Sequence, residues 1–201
     1  MCVQAVTGIA YPLGGDQLYS GSIDRTLRVW NCHTGQCERV IDLGFEVCSL
    51  IREGLWIFIG LPNLVKAWNT QSGAEFSPDG PVGQVYAMIF DKNILFAGAQ
   101  NGQILAWKVS SESETTTNPF QPAHVLDGHT LGIVCLTISH NMLYSGSFDG
   151  TIKDLGTLQC LATAKGHSNA LTSLVCWDHY LVSGSLDGTI KAGDPRKKAA
   201  W

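Results

Sequence analysis

The sequence predicts an all-β fold of the β-propeller type, and a repeated phrase is the main evidence for it. Copies of one phrase occur at Leu18–Asp24, Leu95–Asn101, Leu143–Asp149 and Leu181–Asp187, with a weaker copy at Trp56–Asn63. Their spacing is nearly constant apart from one longer interval before the fourth copy; the central glycines are Gly21, Gly60, Gly98, Gly146 and Gly184. A period of about 40 residues with four short strands per unit is typical of a propeller.

The repeat divides the chain into one array of five blades, at about 1–44, 45–79, 80–127, 128–165 and 166–201. Each blade is expected to hold four antiparallel strands, and the last to stop after its third, which makes 19 strands. In the first blade the strands are predicted at Val3–Ala10, Gln17–Ser22, Thr26–Asn31 and Cys37–Leu43. We expect the five blades to share a channel axis without closing a ring.

Two Asp-Gly pairs predict tight turns within the blades. Asp149-Gly150 and Asp187-Gly188 provide the positive φ that a tight hairpin requires, because glycine adopts that conformation without steric cost. The one long interval between phrases contains a polar stretch at 110–122, whose serines, threonines and glutamates cannot bury apolar surface. A disordered loop between the third and fourth strands of blade three is therefore predicted. A linker between domains is the alternative, and the repeat resuming in phase favours the loop.

Composition narrows the class of partner and compartment. Charged residues make up 15% of the chain and the net charge is −4. Nucleic-acid binding needs clustered Lys and Arg, yet the only basic run is Arg196–Lys198, either a targeting or phosphate-binding patch or a frayed terminus. Seven cysteines without a framework spacing indicate a reducing compartment. No apolar run reaches the roughly 18 residues of a membrane span, and no basic signal-peptide start is present. We expect a nuclear or cytoplasmic protein that is neither secreted nor membrane-bound.

Further motifs show a family resemblance. Gly-His pairs at Gly128-His129 and Gly166-His167 lie at the same spacing before the central glycine of the following phrase. The third strands of blades one to three end with tryptophan, at Trp30, Trp68 and Trp107. With the Ser-Gly-Ser-x-Asp phrases, these features resemble the signature of WD-repeat propellers over essentially the whole chain.

A narrower resemblance is to plant WD-repeat proteins that also carry an N-terminal CCCH zinc finger. Three phrases carry it: Leu61–Asn69, Gly80–Tyr86 and Val175–Asp178. In that family the finger precedes a propeller of about seven blades. By that comparison this sequence holds neither the finger nor the last two blades, and we expect it to correspond to a fragment or a shortened gene model.

The WD-repeat resemblance implies a buried hydrogen-bond chain within a blade, from Trp to Ser to His to Asp. A fully satisfied polar network of this kind fixes a core. Blades four and five contain its last three members, namely His129, Ser145 and Asp149, and His167, Ser183 and Asp187. Blade four is read as lacking two residues that would include the tryptophan, and Gly193 stands at its place in blade five. Blades one and three have the tryptophan but no histidine, so no blade completes the chain.

Catalytic and metal-binding signals are weak. The sequence contains no nucleophile elbow, zinc-protease motif, phosphate loop or dinucleotide fingerprint. His129 and Asp149 could be an acid–base pair, but the buried structural pair of a WD blade is the favoured interpretation. The segment Cys32–Cys37 could hold a metal, although a turn around Thr34-Gly35 is favoured because two more ligands would have to come from elsewhere. We expect no enzyme activity, no cofactor, no metal and no small-molecule substrate.

The residue before each turn aspartate or asparagine is the candidate partner-binding position. These residues are Ile23, Gln100, Phe148 and Leu186. The resemblance implies that they emerge on the narrow top face around the channel, where exposed apolar side chains would form a protein- or peptide-binding patch. The alternative is that they merely pack the turn.

A non-catalytic protein–protein interaction scaffold is the function predicted from these observations. The zinc-finger resemblance implies an RNA- or DNA-associated parent, whose nucleic-acid contact would be made by a finger absent here. A substrate-recognition subunit of a ubiquitin ligase complex is the alternative.

Overall fold

The computed structural model describes residues 4–11, 15–110, 118–155, 162–178 and 180–194. Within these ranges the regular secondary structure consists of nineteen β-strands. They are β1 Val6–Ala10, β2 Gln17–Ser22, β3 Thr26–Asn31, β4 Cys37–Asp42, β5 Ser49–Glu53, β6 Trp56–Leu61, β7 Leu64–Asn69, β8 Glu75–Phe76, β9 Val85–Asp91, β10 Ile94–Ala99, β11 Ile104–Val109, β12 Phe120–Leu126, β13 Ile133–Ser139, β14 Met142–Ser147, β15 Thr151–Asp154, β16 Ala162–Lys165, β17 Leu171–Trp177, β18 Tyr180–Ser185 and β19 Ile190–Gly193. No helix long and apolar enough to cross a bilayer is present among the described residues.

The strands form five antiparallel sheets in chain order, which confirms the propeller fold. Blades one to four are β1–β4, β5–β8, β9–β12 and β13–β16, and blade five is the three-stranded sheet β17–β19. In blade one the second and third strands have the predicted bounds, while the first begins at Val6 and the fourth ends at Asp42. Most of the predicted polar loop, 111–117, lies outside the described residues. Strand β12 begins at Phe120, so the end of the loop interval is strand.

The turns between second and third strands adopt the expected left-handed backbone. Gly150 has φ 78° and Gly188 has φ 80°. In blade one the same position is Arg25, which has φ 71°. A side chain in this conformation is strained because its Cβ approaches the following carbonyl oxygen.

The central glycine of each phrase is a contact point between neighbouring blades. A Cβ placed on Gly98 would lie 2.6 Å from a methyl carbon of Ile133, the first residue of blade four's inner strand. Three further glycines abut the next blade in the same way: Gly21 on Val47, Gly60 on Val85 and Gly146 on Leu171. Gly184 of blade five has only residues of its own blade within reach among the described residues. The spacing of the glycines therefore records where blades meet.

Four apolar clusters fill the spaces between consecutive blades. They are centred on Ile57 and Tyr19 between blades one and two, Phe58 between two and three, Ile133 between three and four, and Leu171 between four and five. The inner strands contact one another in order, from β1 through β5, β9 and β13 to β17. In the described part of the chain no comparable contact joins β17 to β1. The ring is open, as predicted.

Candidate interaction face and the buried networks beside it

One end of the propeller collects the turns and loops in which the candidate partner-binding residues lie. In an antiparallel blade the first and third strands begin where the second and fourth strands end, and we call this the top end. The four candidate residues occupy equivalent positions there, each donating its backbone N–H to a carbonyl just before or at the start of its own blade's first strand. The bonds run from Ile23 to Ala5 (3.1 Å), from Gln100 to Gln84 (2.8 Å), from Phe148 to Gly132 (2.9 Å) and from Leu186 to Ala170 (2.9 Å).

The side chains at these four positions reach solvent. Leu186 is 64% exposed, Phe148 41% and Ile23 37%. Phe148 also contacts Tyr86 of blade three edge to face, with ring centroids 5.5 Å apart. The side-chain oxygen of Gln100 accepts a hydrogen bond from the backbone of Gln84. Among the described residues the four make no hydrogen bond or ring contact with one another. Each is therefore a separate contact point, contributed by its own blade.

Three more apolar residues share the top end, and none of them was predicted from the sequence. Phe45, Val82 and Leu131 are each more than half exposed and lie in the loops that lead from one blade into the next. The loops between blades contact the turns within blades. A Cβ on Gly102, in the turn of blade three, would lie 2.5 Å from the carbonyl oxygen of His129, in the loop that leads into blade four. The available signal was position, since each of the three lies shortly before an inner strand.

In blade four His129 connects a serine to the turn aspartate. Its Nδ1 lies 2.9 Å from Oδ2 of Asp149 and its Nε2 lies 2.8 Å from Oγ of Ser145. The histidine side chain is 2% exposed and Ser145 is fully buried. The carboxylate also accepts bonds from the backbone N–H of Thr130 and from the N–H and hydroxyl of Thr151. Both carboxylate oxygens are thus engaged by the protein.

Electrostatics fix the protonation state of this network. Burial lowers the pKa of His129, outweighing the hydrogen bond and charge of Asp149, which raise it. Burial raises the pKa of Asp149, but the bonds from Thr151, Thr130 and His129 bring it below its usual value. A carboxylate can only accept, so the neutral imidazole donates from Nδ1 to Asp149 and accepts the Ser145 hydroxyl proton at Nε2.

Blade five repeats the arrangement. His167 lies 2.9 Å from Asp187 through Nδ1 and 2.8 Å from Ser183 through Nε2. The hydrogen bond from Thr189 is the foremost cause that holds the pKa of Asp187 far below its usual value. The order Ser–His–Asp resembles a nucleophilic triad, but Ser145 and Ser183 are buried, at 0% and 1% exposure. A substrate carbonyl could not approach either hydroxyl, which favours the structural interpretation.

Blade one contains the other part of the network. The indole N–H of Trp30 donates to Oγ of Ser20 at 2.8 Å. No histidine follows, and Oδ2 of Asp24 instead accepts from Arg28, on the strand that follows the turn, at 3.2 Å. This substitution was not predicted, although an arginine at the i+4 position from the turn aspartate was its visible sign in the sequence.

The sequence predicted that blade four lacks two residues, the tryptophan among them, but the strand pairing shows no gap at this position. Strand β15 stays in register with β14 through the pair Tyr144–Asp154, as β3 does with β2 through Tyr19–Val29. Leu155 takes the place of the tryptophan. Its backbone N–H donates to the carbonyl of Leu143 at 2.8 Å, so the hydrogen-bond ladder continues through this position. The smaller side chain borders a groove of about 200 Å³ between blades three and four.

The segment Cys32–Cys37 forms a turn. The side chain of Asn31 accepts from the backbone of His33 and Thr34, and Gly35 has φ 68°. The ring of His33 bonds to Asp16 at 2.9 Å. Within the described ranges no group of three or more metal-binding side chains is assembled.

Comparison with known proteins assigns the repeat. The family model described as "WD domain, G-beta repeat" matches residues 3–31, 120–153 and 158–192. The chain contains WD40 repeats. Such repeats generally act as protein-interaction scaffolds. The match at 120–153 starts with β12, the outer strand of blade three, and ends in β15 of blade four, so one sequence repeat contributes to two blades.

The chain is also similar to plant zinc-finger proteins, as the sequence predicted. It is 51% identical over 162 residues to zinc finger CCCH domain-containing protein 17 of rice, covering 80% of this chain and 36% of the relative. It is 51% identical over 160 residues to zinc finger CCCH domain-containing protein 62 of Arabidopsis thaliana, covering 78% of this chain and 38% of that protein. The chain therefore spans little more than a third of the length of these curated relatives.

A solved structure supports the fold. The structure of U3-55K superposes with a TM-score of 0.83 at 17% identity, covering 98% of this chain and 63% of that one. At this identity the similarity concerns the fold alone. The comparisons give no support to the ubiquitin-ligase alternative.

Proposed function

We propose that this chain is the protein-binding platform of an RNA- or DNA-associated WD-repeat protein with a CCCH zinc finger, and that its top end holds the partner. The observation that carries the proposal is the concentration of exposed apolar side chains at that end. Three come from blade turns and three from interblade loops: Ile23, Phe148 and Leu186, and Phe45, Val82 and Leu131.

The physical argument is that exposed apolar surface gains free energy when a partner covers it. Protein interfaces use aromatic and aliphatic anchors surrounded by polar residues. The top end has this composition, because exposed polar residues accompany the apolar ones in the same turns and loops: Gln100, Glu46 beside Phe45, and Thr130 beside Leu131. The buried networks of blades four and five support the same turns from within, since Asp149 and Asp187 anchor the turns that carry Phe148 and Leu186.

We assign nucleic-acid association to the finger of the parent protein rather than to this platform, because the chain has a net charge of −4. Phosphate recognition requires clustered cations. The compartment that fits is the nucleus or cytoplasm, in keeping with the five free cysteines among the described residues. Gel-shift titration of the chain alone with single-stranded and duplex RNA and DNA tests this, and submicromolar binding at physiological salt would refute the assignment.

A matched pair of variants tests the top-end platform. The top-end variant changes Leu131, Phe148 and Leu186 to serine, and the control changes Val40 and Val125, which are similarly exposed on outer strands β4 and β12. Affinity purification from plant cells with quantitative mass spectrometry should show a set of proteins retained by wild type and the control and lost from the top-end variant. Equal retention by all three chains would contradict the proposal.

A further inference from the structure

A cleft between blades one and two opens at the outer rim and runs along β4. It exists because β8, the outer strand of blade two, is only two residues long, whereas β4 of blade one has six. Part of the β4 flank is therefore left without an opposing strand. The cleft measures about 410 Å³, which is within the range of ligand sites in proteins.

The cleft has an apolar floor and a polar end. Leu27 and Ile41 line the blade-one side, Ile59 and Trp68 line the blade-two side, and the turn 70–73 closes one end. Leu27 and Ile59 are each 1% exposed and belong to the packed cluster between the blades. The floor is thus rigid and preformed, which lowers the entropic cost of binding.

Arg39 gives the cleft its charge. It occupies the position in β4 that Phe76 occupies in β8, since Arg39 pairs with Val29 as Phe76 pairs with Ala67. Phe76 fills the space between blades two and three by packing on Trp56 and Phe120. In blade one the same position is cationic, and the space beside it is open.

The guanidinium of Arg39 has no carboxylate partner among the described residues. It lies over the ring of Trp68, 5.7 Å from the centroid. The other cation of the cleft, Lys66, is already paired with Glu75 at 2.6 Å. An arginine held on an aromatic ring at the mouth of a cleft with an apolar floor is oriented for a planar, bidentate anion such as a carboxylate.

We propose that this cleft binds a partner peptide in which an aspartate or glutamate adjoins a large apolar residue. The carboxylate pairs with Arg39 and the apolar side chain enters the space bordered by Ile41 and Trp68. A peptide is favoured over a small free anion because the apolar floor would contribute nothing to an anion alone. None of the six exposed apolar residues of the top end lines the cleft, so the two sites can be tested separately.

A peptide array tests the proposal on the full 201-residue chain. The probes are immobilised pentapeptides in which Asp or Glu adjoins Leu, Ile, Phe or Trp, and the same peptides with Asn or Gln instead. The chain should bind acidic members and not their amide counterparts. The strongest peptide is then measured in solution by fluorescence anisotropy, and R39M should weaken it at least tenfold, the loss of roughly one charge-assisted contact.

Arg52 is the matched control. It also lies over an aromatic ring, that of Tyr19 at 6.0 Å, but it does not line the cleft. R52M and the top-end triple variant should bind the peptide like wild type. If R39M does not fold, Gln71→Glu places a carboxylate in the cleft lining without changing side-chain size, and it should weaken binding by a similar factor.

Hydrogen exchange locates the contact. Bound peptide should protect 37–43 and 66–76 and leave the top-end turns unchanged. The proposal is overturned by the absence of acidic preference on the array, by equal binding of R39M and wild type, by equal losses in R39M and R52M, or by protection confined to the top end.

Discussion

Replacing His129 by alanine should destabilise the chain by about 1–3 kcal/mol, the cost of leaving buried polar groups without a partner. The structure identifies those groups. The hydroxyl of Ser145, fully buried, loses the ring nitrogen that receives its proton. Asp149 loses one of its hydrogen bonds but keeps those from Thr130 and Thr151. Because the carboxylate is not left isolated, the loss of stability should not exceed about 3 kcal/mol.

The pH dependence of stability gives this prediction a second, independent readout. Because burial lowers the pKa of His129 in the folded chain, the unfolded chain binds the proton more tightly. The free energy of unfolding should therefore be constant above about pH 6.5, the ordinary histidine value, and fall as the pH decreases below it. The charged groups that face the ring are Asp149 and Lys153. The pKa of Asp149 is also lowered in the folded chain, so of these two groups Asp149 adds a further loss of stability, below about pH 4.

Urea titration followed by tryptophan fluorescence between pH 5 and pH 8 measures both effects. H129A should show a lower free energy of unfolding at pH 7.5 and a shallower decline toward pH 5 than wild type. The double variant with Ser145→Ala should recover part of the loss, because the orphaned hydroxyl is removed. Surface substitutions typically change the free energy of unfolding by less than about 0.5 kcal/mol. An effect of H129A no larger than that, with an unchanged pH profile, would refute the network as a stabilising unit.

Three further changes test the geometry elsewhere. Arg25→Gly should stabilise blade one by about 1 kcal/mol because it relieves a left-handed backbone; a lower melting temperature would contradict this. Leu155→Trp should raise the free energy of unfolding by about 0.5–2 kcal/mol, because the ring fills the groove and its indole N–H donates to Ser145. An indole N–H at position 155 that exchanges freely with solvent, together with unchanged stability, would show that the groove does not accept the ring. Gly98→Ala should cost about 1–3 kcal/mol through overpacking against the next blade. Gly184→Ala should cost clearly less, because among the described residues Gly184 meets only side chains of its own blade. Equal costs in denaturant titrations would mean that the blade contact is not what selects glycine.

The fold was predictable because the repeat encodes it at several levels. The phrase spacing gives the number of blades, and the Asp-Gly pairs give the turn backbone at Gly150 and Gly188. What the phrase could not show is why its glycine recurs. That reason lies in another blade, where Ile133 occupies the space that a Cβ on Gly98 would need.

The site was predictable only in part, for the same physical reason. The histidine, serine and aspartate of blade four follow a spacing that sequence reveals. The contact of Phe148 with Tyr86, and the position of Arg39 over Trp68, depend on how separate blades are placed. The register of Leu155 likewise depends on backbone hydrogen bonds between β14 and β15, which sequence comparison does not show.

The offset between sequence repeat and sheet has a consequence for cooperativity. A repeat such as 120–153 holds the outer strand of blade three and three strands of blade four. Extracting it would break hydrogen-bond ladders in two sheets at once and expose the apolar clusters on both sides. Unlike an α-helical solenoid, whose helix pairs stack on their neighbours through side-chain contacts, this array interlocks its units through the backbone. Blades three and four should therefore lose protection from hydrogen exchange together, as one cooperative unit rather than repeat by repeat.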